Sequence, residues 1–265
     1  MTVAVGEIAY NHDTSSCSGV GLVWTADDLS EALSGPVATV LLDDEGTAEV
    51  EEILAALAET EFEKDGLAAI LSVPAQVENW RVGEAIGETY LTDHRSCTFP
   101  WPDGRDERKR GSSLPGADLV GFCVDDKGDY FAFGEAKTSS DANHPPTAMY
   151  GRTGLKKQLE DLRDRADIRD HLVKYLCHRA KFADWRPRFE EASKRYLRNK
   201  SDVGLYGLLI RDVEPHSNDV VARVKSLGQN CPDGTRIELL ALYLPQSSIV
   251  GLGEMTLSTR GGRNR

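Results

Sequence analysis

The sequence contains no long hydrophobic run. No stretch of its 265 residues reaches the roughly 18 apolar residues that a membrane-spanning helix needs. The first residues, MTVAVGEIAYNHD, also lack the basic and the long apolar segments of a secretion signal. Hydrophobic residues make up 40% of the chain and charged residues 28%, which is typical of a globular protein. We therefore expect a cytoplasmic protein without a membrane partner.

Cysteine is scarce and shows no metal-binding arrangement. The five cysteines are odd in number, widely separated and never arranged as CxxC, so the spacing indicates neither a zinc motif nor a disulfide framework. We expect reduced thiols, as is usual in the cytosol. The cysteines are Cys17, Cys97, Cys123, Cys177 and Cys231.

Positive charge is almost missing from the first part of the chain. Residues 1–100 carry 3 Lys or Arg against 19 Asp or Glu, a net charge of −16. Residues 151–200 carry 15 against 8, a net charge of +7, within a whole chain of net charge −12. The basic part can face phosphates, whereas the acidic part suits docking to a protein partner.

The acidic first part is predicted to form an α/β region of its own. PVATVLLDD (36–44) is typical of a short buried strand, and residues 48–66 are typical of an amphipathic helix with an acidic outer face. The next stretch, LAAILSV, indicates a strand or a buried turn of helix before Pro74. The predicted organisation is an N-terminal α/β region over 1–74, a main domain over 75–250 and a flexible tail over 251–265.

The most informative stretch is GADLVGFCVDDKGDYFAFGEAKTSS, residues 116–140. Apolar residues on both sides of an Asp-Asp-Lys-Gly turn signal predict a β-hairpin. The midpoint between Asp118 and Glu135 falls in the turn, so folding brings Asp118 opposite Glu135 or a neighbour. Lys137 is two residues after Glu135 and therefore shares its face of the strand. Three charged groups are expected to converge at one end of an otherwise apolar hairpin.

A helix is predicted upstream, over residues 77–93. Glu84 and Glu88 are four residues apart and so lie on one helical face. The small residues Gly83 and Gly87 beside them would let the helix approach a sheet closely. A charged pair on a helix is usually solvated, and only the hairpin downstream gives these glutamates a functional interpretation.

Helices and strands alternate after the hairpin. Residues 152–180 and 182–198 have helical periodicity, and VGLYGLLIRDV (203–213) is nearly continuously apolar, as a central strand should be. Residues 217–228 indicate a capped helix and 236–245 another strand. The pattern predicts an α/β fold.

The paired carboxylates suggest a hard-metal site. Asp118 and Glu135 across the hairpin, with the backbone carbonyl of Ala136, would offer oxygen ligands to Mg²⁺ or Mn²⁺. Lys137 would orient a metal-bound water and stabilise its hydroxide form. Glu84 or Glu88 would complete the metal shell or recruit a second ion. The alternative is structural, with Lys137 merely pairing with either carboxylate on a solvated face.

The order of these elements and residues resembles the core of the PD-(D/E)xK nuclease superfamily. The resemblance covers about residues 77–212, with Asp118 as the lone aspartate, Glu135 and Lys137 as the Glu-x-Lys pair, and Glu84 or Glu88 as the helix glutamate. It implies a restriction-endonuclease-like core, with a mixed central β-sheet flanked by helices. One departure is that Ala117 precedes Asp118, where the superfamily's name has proline.

Basic segments lie on either side of the hairpin. The preceding loop carries a compact basic run, for which we predict a phosphate-gripping role or, alternatively, a solvated loop. The helix that follows carries residues that such nucleases often use to contact phosphate, although surface helix charge is the competing interpretation. The predicted nucleic-acid contacts are Arg105, Arg108, Lys109, Arg110, Ser139, Lys156, Lys157 and Gln158.

We therefore expect a Mg²⁺- or Mn²⁺-dependent endonuclease that hydrolyses DNA. Its size and arrangement are also similar to nuclease subunits of Hachiman-type anti-phage defence, which implies control by a helicase or another ATPase. Two alternatives stay open. One is a restriction or repair endonuclease that acts alone, and the other is an inactive module on the same fold that binds nucleic acid or protein.

Overall fold

A mixed seven-stranded β-sheet runs through the computed structural model, which describes residues 2–106 and 116–263. Its strands are β1 (Glu7–Asp13), β2 (Cys17–Val23), β3 (Cys97–Thr98), β4 (Leu119–Asp125), β5 (Gly128–Ser139), β6 (Val203–Arg211) and β7 (Arg236–Tyr243). The spatial order is β1-β2-β7-β6-β5-β4-β3. The four central strands from β2 to β5 in this order are parallel, and antiparallel pairing adds β1 at one edge and β4 and β3 at the other.

Ten α-helices accompany the sheet within the same described ranges. They are α1 (Ala26–Ser34), α2 (Pro36–Leu41), α3 (Asp44–Ala55), α4 (Glu61–Ile70), α5 (Asn79–His94), α6 (Leu155–Asp164), α7 (Ala166–Ala180), α8 (Arg186–Arg198), α9 (Val221–Gly228) and α10 (Leu252–Arg263). The expected α/β class, with a mixed sheet flanked by helices, is confirmed at this level.

Two apolar cores lie on opposite faces of the sheet, because successive side chains of a strand point to opposite sides. In β5, Tyr130 and Ala132 belong to one core, and Phe131 and Phe133 to the other. We call the side of Ala132 the first face and the side of Phe133 the second face. Helices α1, α2, α5 and α10 supply buried residues to the core of the first face, and α6–α9 to that of the second.

Helix α5 packs unusually close to the sheet, as its glycines predict. A Cβ added at Gly87 would lie 2.5 Å from Cδ1 of Leu208 in β6, and one at Gly83 would collide with Oγ1 of Thr138 in β5. No larger residue fits at either position without displacing its neighbour. The two glycines therefore bring the backbone of α5 against the strand that carries Glu135 and Lys137.

The acidic N-terminal region differs from its predicted secondary structure. The predicted strand over 36–44 is wrong, because Pro36 begins the helix α2, where a missing N–H costs nothing, and Val37 and Ala38 are buried. The single helix expected over 48–66 is divided into α3 and α4. At this division Thr60 caps α4, with Glu63 N–H donating to Thr60 Oγ1 at 3.3 Å and Thr60 N–H donating to Glu63 Oε2 at 2.7 Å.

Both ends of the chain pack into the main structure more extensively than expected. Strand β2 pairs along its length with β7, so one sheet crosses the boundary suggested at residue 74. Residues 252–263 form the helix α10, with Leu252 and Thr256 buried, and the N–H of Gly253 donates to Asn79 Oδ1 at 3.0 Å. The expectation of a frayed tail is not met over these residues.

A disulfide joins Cys97 to Cys123. The two residues are direct partners in the antiparallel pair of β3 and β4, and both are buried. The expectation of five reduced thiols is therefore wrong for this pair. Their separation of 26 residues carries no motif, so only the strand register brings the two sulfurs together. The remaining cysteines, Cys17, Cys177 and Cys231, are free.

Candidate functional site

Strands β4 and β5 separate at the end of the hairpin. Their ladder ends at the pair Leu119 and Gly134. Beyond it, Asp118 Oδ2 accepts a hydrogen bond from the backbone N–H of Ala136 at 2.8 Å. Because the N–H and C=O of a strand residue point to the same neighbouring strand, the Ala136 carbonyl faces this gap as well. Carboxylate and carbonyl oxygens therefore adjoin at the point where the strands part.

Lys137 completes a three-residue cluster with two acids. Its Nζ lies 3.4 Å from Glu135 Oε2 and 3.6 Å from Asp118 Oδ2. Glu135 is only 1% exposed, whereas Asp118 and Lys137 are partly exposed. Alternation along β5 directs Glu135 and Lys137 to the second face. The structure thus brings together the three charged groups that the hairpin pattern singles out, and we call them the Asp-Glu-Lys cluster.

Burial raises the pKa of the Glu135 carboxyl to about 9, and the negative charge of Asp118 adds to the increase. The positive charge of Lys137 offsets only part of this effect. Glu135 consequently holds a proton at neutral pH in the protein as it stands. A cation that binds to its carboxylate must displace that proton, so binding should strengthen as the pH rises.

The chemistry of the cluster fits a magnesium-like ion. Among the described residues, no group of three or more His, Cys, Asp or Glu side chains is arranged to hold a metal. Mg²⁺, however, keeps several waters and is often bound through only one or two carboxylates. Asp118, Glu135 and the Ala136 carbonyl form such a set, and each of their donor atoms is oxygen.

Helix α6 borders the cluster on the second face. Gly207 is the partner of Glu135 in β6, and a Cβ there would lie 2.6 Å from Leu159 Cδ1 of α6. Gln158 lies between the buried Leu155 and Leu162 in helical spacing and so belongs to the sheet-facing side of α6. Its Oε1 is buried and has no hydrogen-bond partner in the part of the chain that the structure describes. Within the described ranges, this side-chain oxygen is an unpaired acceptor in the helix that packs against β6, the neighbour of the strand of Glu135.

Glu84 and Glu88 lie on α5, which covers the first face. Both are partly exposed. Gly83, next to Glu84, lies against Thr138, which directly follows Lys137. Glu84 is therefore near the end of β5, but its helix packs on the face opposite to Glu135 and Lys137. A role for either glutamate in a metal shell stays a prediction.

Arg105 makes contacts within the protein that occupy its guanidinium group. It forms a two-point ion pair with Asp43, at 2.7 and 2.8 Å, and lies over the ring of Trp101. Its guanidinium is thereby largely buried, so the structure does not support the predicted phosphate contact for Arg105. The other members of the basic run, Arg108, Lys109 and Arg110, lie outside the described residues.

The remaining predicted contacts differ in their surroundings. Lys156 pairs with Glu160 at 3.2 Å and Lys157 with Asp161 at 2.6 Å, both one helical turn away, which favours the interpretation as surface helix charge. Ser139 is a structural residue, since Arg211 Nη1 donates to its carbonyl at 3.1 Å and to its Oγ at 3.3 Å. Of this group, Gln158 alone has an uncommitted buried atom among the described residues.

A buried ionic cluster behind Ser139 was not anticipated from the sequence. Arg211 and Asp219 are completely buried, with Arg211 Nε 3.3 Å from Asp219 Oδ2. Asp219 also bonds His144 Nδ1 at 2.9 Å and accepts from Tyr243 at 2.7 Å. The cluster fixes the loop that follows β5, because Arg211 Nη2 donates to the carbonyl of Asn143. The one available signal was the charged Arg211 at the end of an apolar central strand.

Comparisons with known proteins add no family. No family model matches the chain, and no curated protein matches it. Within the described ranges, every helix is too short or too polar to cross a bilayer. The geometry of the Asp-Glu-Lys cluster is therefore the basis for a functional proposal.

Proposed function

We propose that this protein is a divalent-metal-dependent nuclease that hydrolyses phosphodiester bonds of DNA. The observation that carries the proposal is the cluster of Asp118, Glu135 and Lys137 at the point where β4 and β5 separate. The Lys137 ammonium lies within 4 Å of two acidic side chains, of which Glu135 is buried, and such an arrangement is costly for folding and is typical of functional sites.

The surrounding topology supports a restriction-endonuclease-like core. From α5 onward the chain adds β3, β4 and β5 as an antiparallel meander, crosses over through α6–α8 and returns as β6 parallel to β5. Helix α5 covers one face and the crossover helices cover the other. This is the helix and strand order that the superfamily resemblance implies.

Asp118, Glu135 and the Ala136 carbonyl would hold Mg²⁺ or Mn²⁺. Such an ion supplies Lewis acidity and lowers the pKa of the water that attacks phosphorus. Lys137, whose Nζ lies within 4 Å of both acids, would donate a hydrogen bond to the attacking water and orient it. Gln158 would donate its amide N–H to a phosphate oxygen. Glu84 or Glu88 would add a further carboxylate at the edge of the site.

The proposal includes an effector role in prokaryotic anti-phage defence under control of a helicase or another ATPase. Support comes from the resemblance to Hachiman-type nuclease subunits and from the acidity of residues 1–100. An acidic surface repels DNA, so a partner that delivers the substrate would raise activity. The proposed control is overturned if the isolated protein degrades DNA as fast as any mixture with the product of a neighbouring gene.

The test compares cleavage of plasmid, linear and single-stranded DNA with Mg²⁺, Mn²⁺ or EDTA. The variants are Asp118→Asn, Glu135→Gln and Lys137→Ala. The matched control is Lys127→Ala, which removes an exposed lysine at the opposite end of the same hairpin. We expect metal-dependent cleavage by the native protein and the control, and a loss of at least about 100-fold in the three site variants.

Mn²⁺ binding, measured by calorimetry, gives a readout that needs no partner. The native protein should bind the ion, and Asp118→Asn and Glu135→Gln should not. Cleavage that persists in EDTA, or that Lys137→Ala leaves unchanged, contradicts the mechanism. A native protein that neither cleaves DNA nor binds Mn²⁺ contradicts the proposed function itself.

A further inference from the structure

The helical pair α3–α4 exposes an apolar surface. Every residue of α4 is described and none is buried, and Gly46 is the one buried residue of α3. Phe62 is 87% exposed, although it lies in a helix of a folded protein. We call this surface, with the residues that continue it, the α3–α4 surface. Its large exposed hydrophobic residues are Val50, Ile53, Leu57, Phe62, Ile70 and Val73.

These six exposed hydrophobic residues lie within one stretch of the chain, between Val50 and Val73. Isolated exposed hydrophobic residues are ordinary, whereas a contiguous group with polar surroundings marks an interaction site. Ile53 and Leu57 are four residues apart, and Val50 precedes Ile53 by three, so they share one side of α3 and the turn that follows it. The apolar side of this helix faces outward.

The same segment is intensely acidic. Residues 43–65 contain 10 Asp or Glu and a single lysine, a net charge of −9. DNA and anionic membranes are repelled by such a surface. A partner that covers its apolar residues must therefore bring positive charge as well.

A groove adjoins the α3–α4 surface. It has a volume of about 760 Å³ and lies between α3, the end of α4, the start of α5 and the loop that carries Trp101 and Arg105. The ion pair of Asp43 and Arg105 holds one wall in place. Apolar side chains line it beside acidic ones, among them Leu41, Val50, Ile70, Val73 and Glu49. Its volume is within the range of preformed binding pockets.

We propose that the α3–α4 surface and its groove dock a basic amphipathic helix of a partner protein. The helix would insert apolar anchors at i, i+3, i+4 and i+7 into the groove and onto Phe62. Its lysines and arginines would face the acidic residues of α3 and α4. Charge complementarity selects this partner over nucleic acid or lipid, and the inference stands independently of the nuclease proposal.

The test uses a synthetic peptide of about 20 residues, with leucine at helical spacing and lysine elsewhere. A scrambled peptide of the same composition lacks the apolar stripe. Binding to the full chain is followed by calorimetry. Phe62→Ser should weaken binding by at least roughly tenfold, equivalent to about 1.4 kcal/mol. Phe182→Ser is a matched control, because Phe182 is 88% exposed and lies between α7 and α8, in the basic segment of residues 151–200.

We expect micromolar binding that weakens as salt is raised and that Phe182→Ser leaves unchanged. Equal binding of the scrambled peptide, or equal weakening by both serine variants, overturns the proposal. Salt-insensitive binding overturns it as well, because the acidic residues would then contribute nothing. If sedimentation shows a native self-associated form that Phe62→Ser converts to a monomer, the occupant is a second copy of this chain and the proposed partner is wrong.

Discussion

Glu135 is the residue where function and stability conflict most directly. Its carboxyl group is buried beside a second carboxyl, and its pKa rises to about 9 from an ordinary value near 4.5. At pH values between about 4.5 and 9, Glu135 loses its proton in the unfolded chain but keeps it in the folded protein. The folded state then binds more protons, so this residue lowers stability as the pH rises toward 9. The contribution of Glu135 to stability is most favourable below about pH 4.5 and is lost progressively as the pH rises to about 9.

Glu135→Gln should therefore stabilise the protein while removing the proposed activity. Glutamine resembles the protonated acid and cannot ionise, so near pH 8 we expect a gain of about 2 kcal/mol, or roughly 5 °C in Tm. Near pH 4.5 the gain should shrink toward zero. Thermal unfolding followed by circular dichroism at both pH values measures the effect. Glu52→Gln, at an exposed position of α3, is the control, and an identical Tm shift at both pH values would contradict the explanation.

Breaking the buried ion pair of Arg211 and Asp219 should destabilise the protein, whereas neutralising Glu135 should stabilise it. Removing one partner of a buried ion pair leaves the other charge without compensation, which costs about 3–5 kcal/mol. Asp219→Ala should lower stability by this amount, and it also removes the acceptors of His144 and Tyr243. Lys157→Ala breaks the exposed pair with Asp161 and should cost less than about 0.5 kcal/mol. Urea unfolding of both variants tests the contrast, and equal losses would rule it out.

Of the residues at the site, the sequence predicts those whose positions follow from local geometry. Asp118, Glu135 and Lys137 are related by one hairpin turn and by strand alternation, so their convergence can be expected without tertiary information. The pairing of Arg105 with Asp43 joins segments 62 residues apart, and no local rule connects them. The same holds for Arg211, at the end of β6, and Asp219, in the segment before α9, whose ion pair follows from no local rule.

Among the elements, α5 requires a small residue where it packs on the sheet. Gly87→Ala places a methyl group 2.5 Å from Leu208, a fully buried residue. The gain in helix propensity is at most about 1 kcal/mol, whereas overpacking costs about 1–3 kcal/mol. We expect a net loss of about 1–2 kcal/mol in urea unfolding.

Gly66→Ala is the matched control for this prediction. Gly66 lies inside α4, and a Cβ added there meets no atom within 4 Å. The same substitution should therefore be neutral or slightly stabilising, by up to about 1 kcal/mol. If both alanine variants behave alike, the close packing of α5 on the sheet is not what requires Gly87.

Element types were predictable where periodicity was long and unambiguous. The hairpin, α5, β6 and β7 follow from turn signals and apolar patterns. The stretch at 36–44 does not, since a short apolar run fits a strand or a buried helix equally well. Pro36 at the start of that run was the signal for a helix. The Cys97–Cys123 pair also required knowledge of register, because β3 has only two residues.

At the scale of the molecule, the single sheet unites the acidic and basic parts of the chain. Composition suggests a boundary near residue 74, but hydrogen bonding between β2 and β7 crosses it. Leu22, Trp24 and Leu33 belong to the same core as Ile86 of α5. The boundary in charge is therefore not a boundary in the fold. The acidic residues of α3 and α4 lie on an outward surface, whereas α1, α2 and β2 pack into the core that they share with α5.

This arrangement predicts one cooperative unfolding transition for the whole chain. Leu22 is 2% exposed and lies in β2, so Leu22→Ala should cost about 2–5 kcal/mol and lower the Tm of the entire protein. Ile8→Ala, at the exposed edge strand β1, removes a comparable side chain and should change the Tm by little. Calorimetry distinguishes the alternatives, because an independent N-terminal domain would give two transitions and Leu22→Ala would shift only one. A single shifted transition would show that the N-terminal region and the rest of the chain unfold together. A fragment beginning at residue 75 would then lack part of its core, because β7 would lose its neighbour β2 and expose Leu240 and Leu242.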